Sequence, residues 1–210
     1  MSIAYLQFQL EPGSVRVGKM VGQGAFGKVY EGTMYNPLAG VDEEIILKRP
    51  QKFVDDAAEL AEAEAYINLR VQRELPREKT GYVGDHRVSE QGSRIGLQTG
   101  QWLVWQKEGN ATLAKCIKER NFPSRDLGRM VLGADRSNQF RRGSVELRVA
   151  VVQSILKQIL SSLEKLHGLG IVHRDIKPSN ILLCNSTPDL YGKCPFKLID
   201  LVRHPVRLRD

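Results

Sequence analysis

Apolar and polar positions fall into two rhythms along the chain. In the first half, short apolar or alternating runs bounded by glycine and proline predict strands over Val15–Val21, Lys28–Thr33 and Glu44–Arg49, the last stopped by Pro50. From Asp55 to Leu75 an Ala- and Glu-rich stretch carries Leu60, Ala63, Ile67 and Val71 at helical spacing, and Pro76 ends it. Tyr82–Val88 and Trp102–Trp105 predict two further strands across a Gly/Ser/Gln loop. After Gly109 the period changes to that of helices. Ala111–Arg120 and Ser144–Leu169 are expected to be helical, the second with Val145, Val149, Val152, Ile155, Ile159, Leu163 and Leu166 on one face. Phe122–Gly143 has scattered Gly and Arg and reads as an irregular insertion, and short strands are expected at Ile181–Cys184 and Phe196–Ile199.

The fold class is therefore α+β. Residues 1–13 form an N-terminal extension, 14–108 a β-rich lobe with one helix, and 109–210 a mainly helical lobe. A length of 210 residues suits two such lobes and allows a core without disulfides. With 41% hydrophobic and 26% charged residues, the composition is that of a soluble globular chain. A net charge of +7 suits anionic partners or simply a solvated basic surface. No Lys/Arg run resembles a nucleic-acid arm and aromatics do not interleave with basic residues, so no nucleic-acid partner is expected. Cys116, Cys184 and Cys194 show neither CxxC pairing nor metal-ligand spacing, which favours a reducing, intracellular setting. No apolar run approaches the roughly 20 residues of a membrane helix, and the N-terminus lacks the order of a signal peptide.

Three groups of residues carry candidate chemistry. Gly22-Gln23-Gly24-Ala25-Phe26-Gly27-Lys28-Val29 lies between two predicted strands, where glycines let backbone amides approach phosphates. Alone it is equally a hairpin turn, and the strand after Gly27 excludes a dinucleotide-binding reading. Lys48, in the third strand, is either an edge-strand charge or a cation for α- and β-phosphates that requires a carboxylate partner. Glu64 is the first choice because it shares a helical face with Leu60, Ile67 and Val71, with Glu62 and Glu59 as alternatives.

The run His173-Arg174-Asp175-Ile176-Lys177-Pro178-Ser179-Asn180 settles the chemistry. Asp175 can accept a hydroxyl proton and orient the oxygen for in-line attack, while Lys177 can neutralise a transferring phosphoryl group. Asn180 and Asp200 offer hard oxygen ligands suited to Mg²⁺.

These elements, in this order from about Ser14 to Asp200, resemble the signature set of eukaryotic-type protein kinases. The resemblance implies ATP and Mg²⁺ as cofactors, a cover over the ATP phosphates at Gly22–Val29, and a pair between Lys48 and Glu64. It also implies a hinge at Trp105–Glu108, including Lys107, beside an adenine lined by Val21, Val29, Ile46 and Leu182, with His173 and Arg174 as structural members of the loop. Lys177 points to a serine or threonine acceptor on a protein substrate. Narrower similarity, in EAEAYINLRVQREL, QWLVWQKEGNATL, FPSRDLG and FKLIDL, is to the state transition kinases of plant and algal thylakoids. That likeness implies light-harvesting antenna proteins as substrates and the stromal face of the thylakoid in the chloroplast as location.

Two departures qualify the expectation. Val202 follows Asp200-Leu201 where such kinases place glycine, and the chain ends at Asp210 without an activation segment, an APE-type motif or the later helices. The helical lobe is thus expected to be truncated, with apolar surface left on the helix Ser144–Leu169. Beside an active serine/threonine kinase stands a second reading, a truncated, pseudokinase-like ATP-binding or scaffolding module.

Overall fold

A computed structural model of the chain describes residues 15–24, 27–50, 57–75, 82–88, 100–184 and 196–201. The extension 1–13, Ala25, Phe26, Pro76, Cys194 and Val202 lie outside the described residues. The described chain divides between Lys107 and Glu108 into two compact units.

The first unit is a five-stranded antiparallel sheet with one helix. Strands β1 (Val15–Gln23), β2 (Gly27–Asn36), β3 (Val41–Pro50), β4 (Tyr82–Val88) and β5 (Gly100–Gln106) take the order β1-β2-β3-β5-β4. The alternation of β3 explains its role. Ile45 and Leu47 point into a core with Val15, Met34, Trp102 and Val104, so Ile46 and Lys48 face the other side of the sheet. On helix α1 (Ala57–Glu74), Ala61 and Ala65 are small enough to seat the helix against Tyr82 and Leu103.

The second unit begins with β6 (Ala111–Thr112) and helices α2 (Leu113–Lys118), α3 (Arg125–Leu132), α4 (Ala134–Asn138) and α5 (Val145–Gly168). Then come a 3₁₀ turn at Pro178–Asn180 and strands β7 (Ile181–Leu183) and β8 (Phe196–Leu198), which form the small sheet β6-β7-β8. The helix expected from Ala111 starts two residues later, because Ala111 and Thr112 pair with Leu183 and Leu182. The stretch 122–143 is not irregular. Ser124 caps α3 by accepting the Leu127 N–H at 3.2 Å, and Gly133, with φ of 81°, ends it. Each of these helices is too short to display its period in sequence.

The long helix α5 is capped by Ser144, which accepts the Leu147 N–H at 3.1 Å, and the carboxyl group of Glu146 in its first turn is held below the usual carboxylate range by backbone and Ser144 hydrogen bonds. Its apolar residues separate into two stripes rather than the single expected face. Leu147, Val151, Ile155, Ile159, Leu163 and Leu166 are buried, whereas Val145, Val149, Val152, Leu156 and Leu160 are between 41% and 67% exposed. Such a stripe is a solubility liability. Replacing Val149, Leu156 and Leu160 together with glutamine is expected to suppress self-association in light scattering. The melting temperature should hardly move, since exposed positions contribute within about 0.5 kcal/mol each.

Candidate active site

In the first unit, β1 and β2 form the hairpin that carries the glycine run. Gly22 lies opposite Val29 and Gln23 opposite Lys28, and the Gly24 N–H donates to the Gly27 carbonyl at 2.9 Å. Gly27 is also opposite Pro50, and a Cβ there would lie 2.9 Å from the Arg49 carbonyl oxygen and 3.5 Å from Cε of Lys48. A side chain at this position would force the Arg49 backbone to shift, whereas the lysine stem lies at ordinary contact distance. Val21 is exposed, and Val29 and Ile46 are half-buried on β2 and β3.

Lys48 Nζ donates to both carboxylate oxygens of Glu64, at 2.9 Å and 2.7 Å. Glu64 is 5% exposed, whereas Glu59 and Glu62 point to solvent. A support network holds the Glu64 turn in place. The Asn68 amide donates to the Glu64 carbonyl at 2.8 Å, and Trp105 Nε1 donates to Asn68 Oδ1 at 3.4 Å. Trp105 also meets Tyr82 edge-on at 5.4 Å between ring centroids. The Trp105 indole therefore packs between sheet and helix.

In the second unit, the loop 173–180 is fixed on the sheet β6-β7-β8. His173 is 1% exposed, and its Nε2 lies 3.1 Å from the carbonyl oxygen of Ile199, next to Asp200. The Ile199 N–H donates to the Asn180 carbonyl at 3.0 Å, so Asn180 and Asp200 are carried on adjacent, cross-linked backbone. The Asn180 amide donates to Asp175 Oδ2 at 2.7 Å and to its backbone carbonyl at 3.0 Å, and Lys177 Nζ lies 2.8 Å from the same Oδ2. An ammonium and an amide on one carboxylate oxygen fix the orientation of the Asp175 side chain. Leu182 is half-buried on β7.

Arg174 and Asp200, with φ of 60° and 64°, are the positive-φ residues other than glycine among those described. Left-handed backbone costs an ordinary residue about 1–3 kcal/mol, and such strain gathers where side-chain placement matters. Neither residue type announces this in sequence.

The donor chemistry fits a magnesium ion. With the Asn180 NH₂ group turned to Asp175, its carbonyl oxygen is left for a cation, and Asp200 supplies a carboxylate oxygen. Among the described residues there is no group of three or more His, Cys, Asp or Glu that could hold a metal ion.

Two ion-pair clusters have no signature in the sequence. Lys107 Nζ lies 3.2 Å from Glu44 and 3.4 Å from Glu31, and Lys197 donates to Glu108. Hydrogen bonding to Glu44, then to Glu31, raises the Lys107 pKa against the opposing effect of burial. Burial pushes the Glu31 carboxyl up, but Lys107 and Lys19 together hold it below its ordinary value.

Among known proteins, the protein kinase domain family model matches residues 130–201. The serine/threonine-protein kinases STN8 and STN7 of Arabidopsis thaliana, both named chloroplastic, are each 31% identical to the chain over 88% of its length. The chain spans 39% of the first and 29% of the second. A crystal structure of a Stt7 homolog from Micromonas algae, soaked with ATP, superposes with a TM-score of 0.71 at 26% identity, over 91% of this chain and 50% of that one. In motif order, in fold and in its relatives, the chain carries the catalytic-domain sequence and fold of a eukaryotic-type serine/threonine protein kinase and resembles the state transition kinases.

Proposed function

We propose that the chain transfers the γ-phosphoryl group of ATP to a serine or threonine hydroxyl of a protein. The observation that supports this most is Asp175, held between Lys177 and Asn180 at 2.8 Å and 2.7 Å on a loop anchored by buried His173. Asp175 accepts the acceptor hydroxyl's hydrogen bond and aims its oxygen at the γ-phosphorus. The proton leaves toward this carboxylate as the new O–P bond forms and the bond from the γ-phosphorus to the β-phosphate oxygen breaks, with ADP as the leaving group. Lys177 offsets charge on the phosphoryl oxygens. Lys48, oriented by Glu64, holds the α- and β-phosphates, and amides of Gly22–Gly27 cover them. Asn180 and Asp200 hold Mg²⁺, which when bound neutralises phosphate charge. Val21, Val29, Ile46 and Leu182 line the adenine, and the hinge around Lys107 meets its edge with backbone groups. In this reading residues 14–108 are the nucleotide-binding lobe and 109–210 the lobe of transfer, after an extension over 1–13.

By likeness to the chloroplastic kinases STN8 and STN7, the chain acts in the chloroplast. The resemblance of its own segments to state transition kinases extends this reading to the stromal face of the thylakoid and to light-harvesting antenna proteins. Among the described residues no helix is long and apolar enough to cross a membrane. Peptides from an antenna protein, bearing threonine, serine or tyrosine at one position, test the acceptor. Label from [γ-³²P]ATP is expected on threonine and serine and not on tyrosine; label on tyrosine alone would refute the assignment. The exposed stripe of α5 favours a second reading, a scaffolding module that binds ATP without transferring phosphate.

A further inference from the structure

The peptide bond between Lys107 and Glu108 joins the two units, and each residue is tied to its own unit. Lys107 meets Glu31 of β2 and Glu44 of β3 through its ammonium, and its N–H donates to the Glu44 carbonyl at 3.0 Å. Glu108 accepts from Lys197 of β8. The next residue, Gly109, runs so close to β7 that a Cβ would sit 2.0 Å from the Leu183 carbonyl oxygen, so no side chain fits. These four strands carry or adjoin the candidate site: β2 and β3 bear Val29 and Lys48, β7 follows Asn180, and β8 leads into Asp200.

We infer that Lys107 and Glu108 are positioning residues, whose ion pairs anchor the connector at one end to the phosphate-binding strands and at the other to the metal-binding sheet. This rests on the kinase reading above. Exposed ion pairs contribute little. Here the Lys197 side chain is only 17% exposed, so breaking its pair from the Glu108 side strands a partly desolvated ammonium. Removing Lys107 leaves the Glu31 carboxylate, 29% exposed, while Glu44 stays solvated at 69%. In this inference the Lys107 and Glu108 side chains, engaged by Glu31, Glu44 and Lys197, act by setting where the connector's backbone lies.

The test is a charge reversal and its repair. Glu108→Lys is expected to weaken binding of a fluorescent ATP analogue with Mg²⁺ by about three- to tenfold and to speed amide hydrogen exchange over residues 107–112. Adding Lys197→Glu should restore both, which loss of a direct nucleotide ligand would not permit. Lys107→Met should act in the same direction and Lys107→Arg should not. Circular dichroism identifies any variant that fails to fold; if Glu108→Lys does, Glu108→Gln takes its place, with the double variant Glu108→Gln/Lys197→Gln read for non-additivity. Single variants with wild-type binding and exchange, or a double variant no better than the single, would overturn the inference. A wild-type chain that binds no nucleotide would instead remove the kinase reading, while the exchange data still judge the anchoring.

Discussion

Replacing Asp175 with alanine is expected to lower phosphoryl transfer by about 10²–10⁴-fold and to leave nucleotide affinity unchanged. The carboxylate sits in the transfer loop, held to Lys177 and Asn180, and Lys48 and the glycine hairpin belong to the other unit. Loss of Asp175 removes the acceptor for the attacking hydroxyl's proton without removing a phosphate ligand. Asp175→Asn is the stricter variant, because it keeps the side chain's shape and can still accept through its amide oxygen, yet cannot take a proton. Both variants should fold, since the loop's main anchor is His173 on the Ile199 carbonyl. Transfer retained at the wild-type rate would exclude Asp175 from catalysis.

The second large effect is expected at Lys48. Its side chain is 20% exposed and that of Glu64 is 7% exposed, so Lys48→Met takes away the cation facing a buried carboxylate. Breaking a buried pair from one side costs about 3–5 kcal/mol, and the partial exposure of Lys48 places this one toward the lower end. The melting temperature and Mg²⁺-ATP affinity should therefore fall together. Pairing Lys48→Met with Glu64→Leu should recover much of the stability, because two apolar side chains replace the pair, but not the affinity. That split separates the structural role of the pair from its hold on phosphate. Recovery of affinity in the double variant would show that Lys48 serves stability alone.

Sequence spacing made some of this legible. The run 173–180 suggests its chemistry because consecutive residues offer a candidate base, cation and metal ligand, and the glycine run between two strands gives a hairpin directly. For Lys48 the sequence offered three glutamates. Burial distinguishes them: the inward stripe of α1 is Leu60, Ala61, Glu64, Ala65, Asn68 and Val71, and Glu59 and Glu62 fall outside it. Asn68 carries no signal of its burial, since a polar residue on an Ala/Glu-rich helix resembles surface.

Other features have no local signature. The division of α5 into two stripes depends on which neighbours reach each side, not on the helix's own period. Helices α3 and α4 are written in Ser124 and Gly133, cap residues that an insertion rich in Gly and Arg obscures. The Lys197–Glu108 pair joins residues 89 apart in sequence. The left-handed backbone of Arg174 and Asp200 comes from the loop's cross-links through His173, Asn180 and Ile199.

The most direct measurement is phosphoryl transfer by the purified chain itself, with [γ-³²P]ATP, Mg²⁺ and a protein acceptor, followed by phosphoamino-acid analysis. Magnesium-dependent label on phosphoserine and phosphothreonine, absent with Asp175→Ala, is the expected result. Tight Mg²⁺-ATP binding with no label on any acceptor, equal in wild type and Asp175→Ala, would contradict it and leave a nucleotide-binding module in its place.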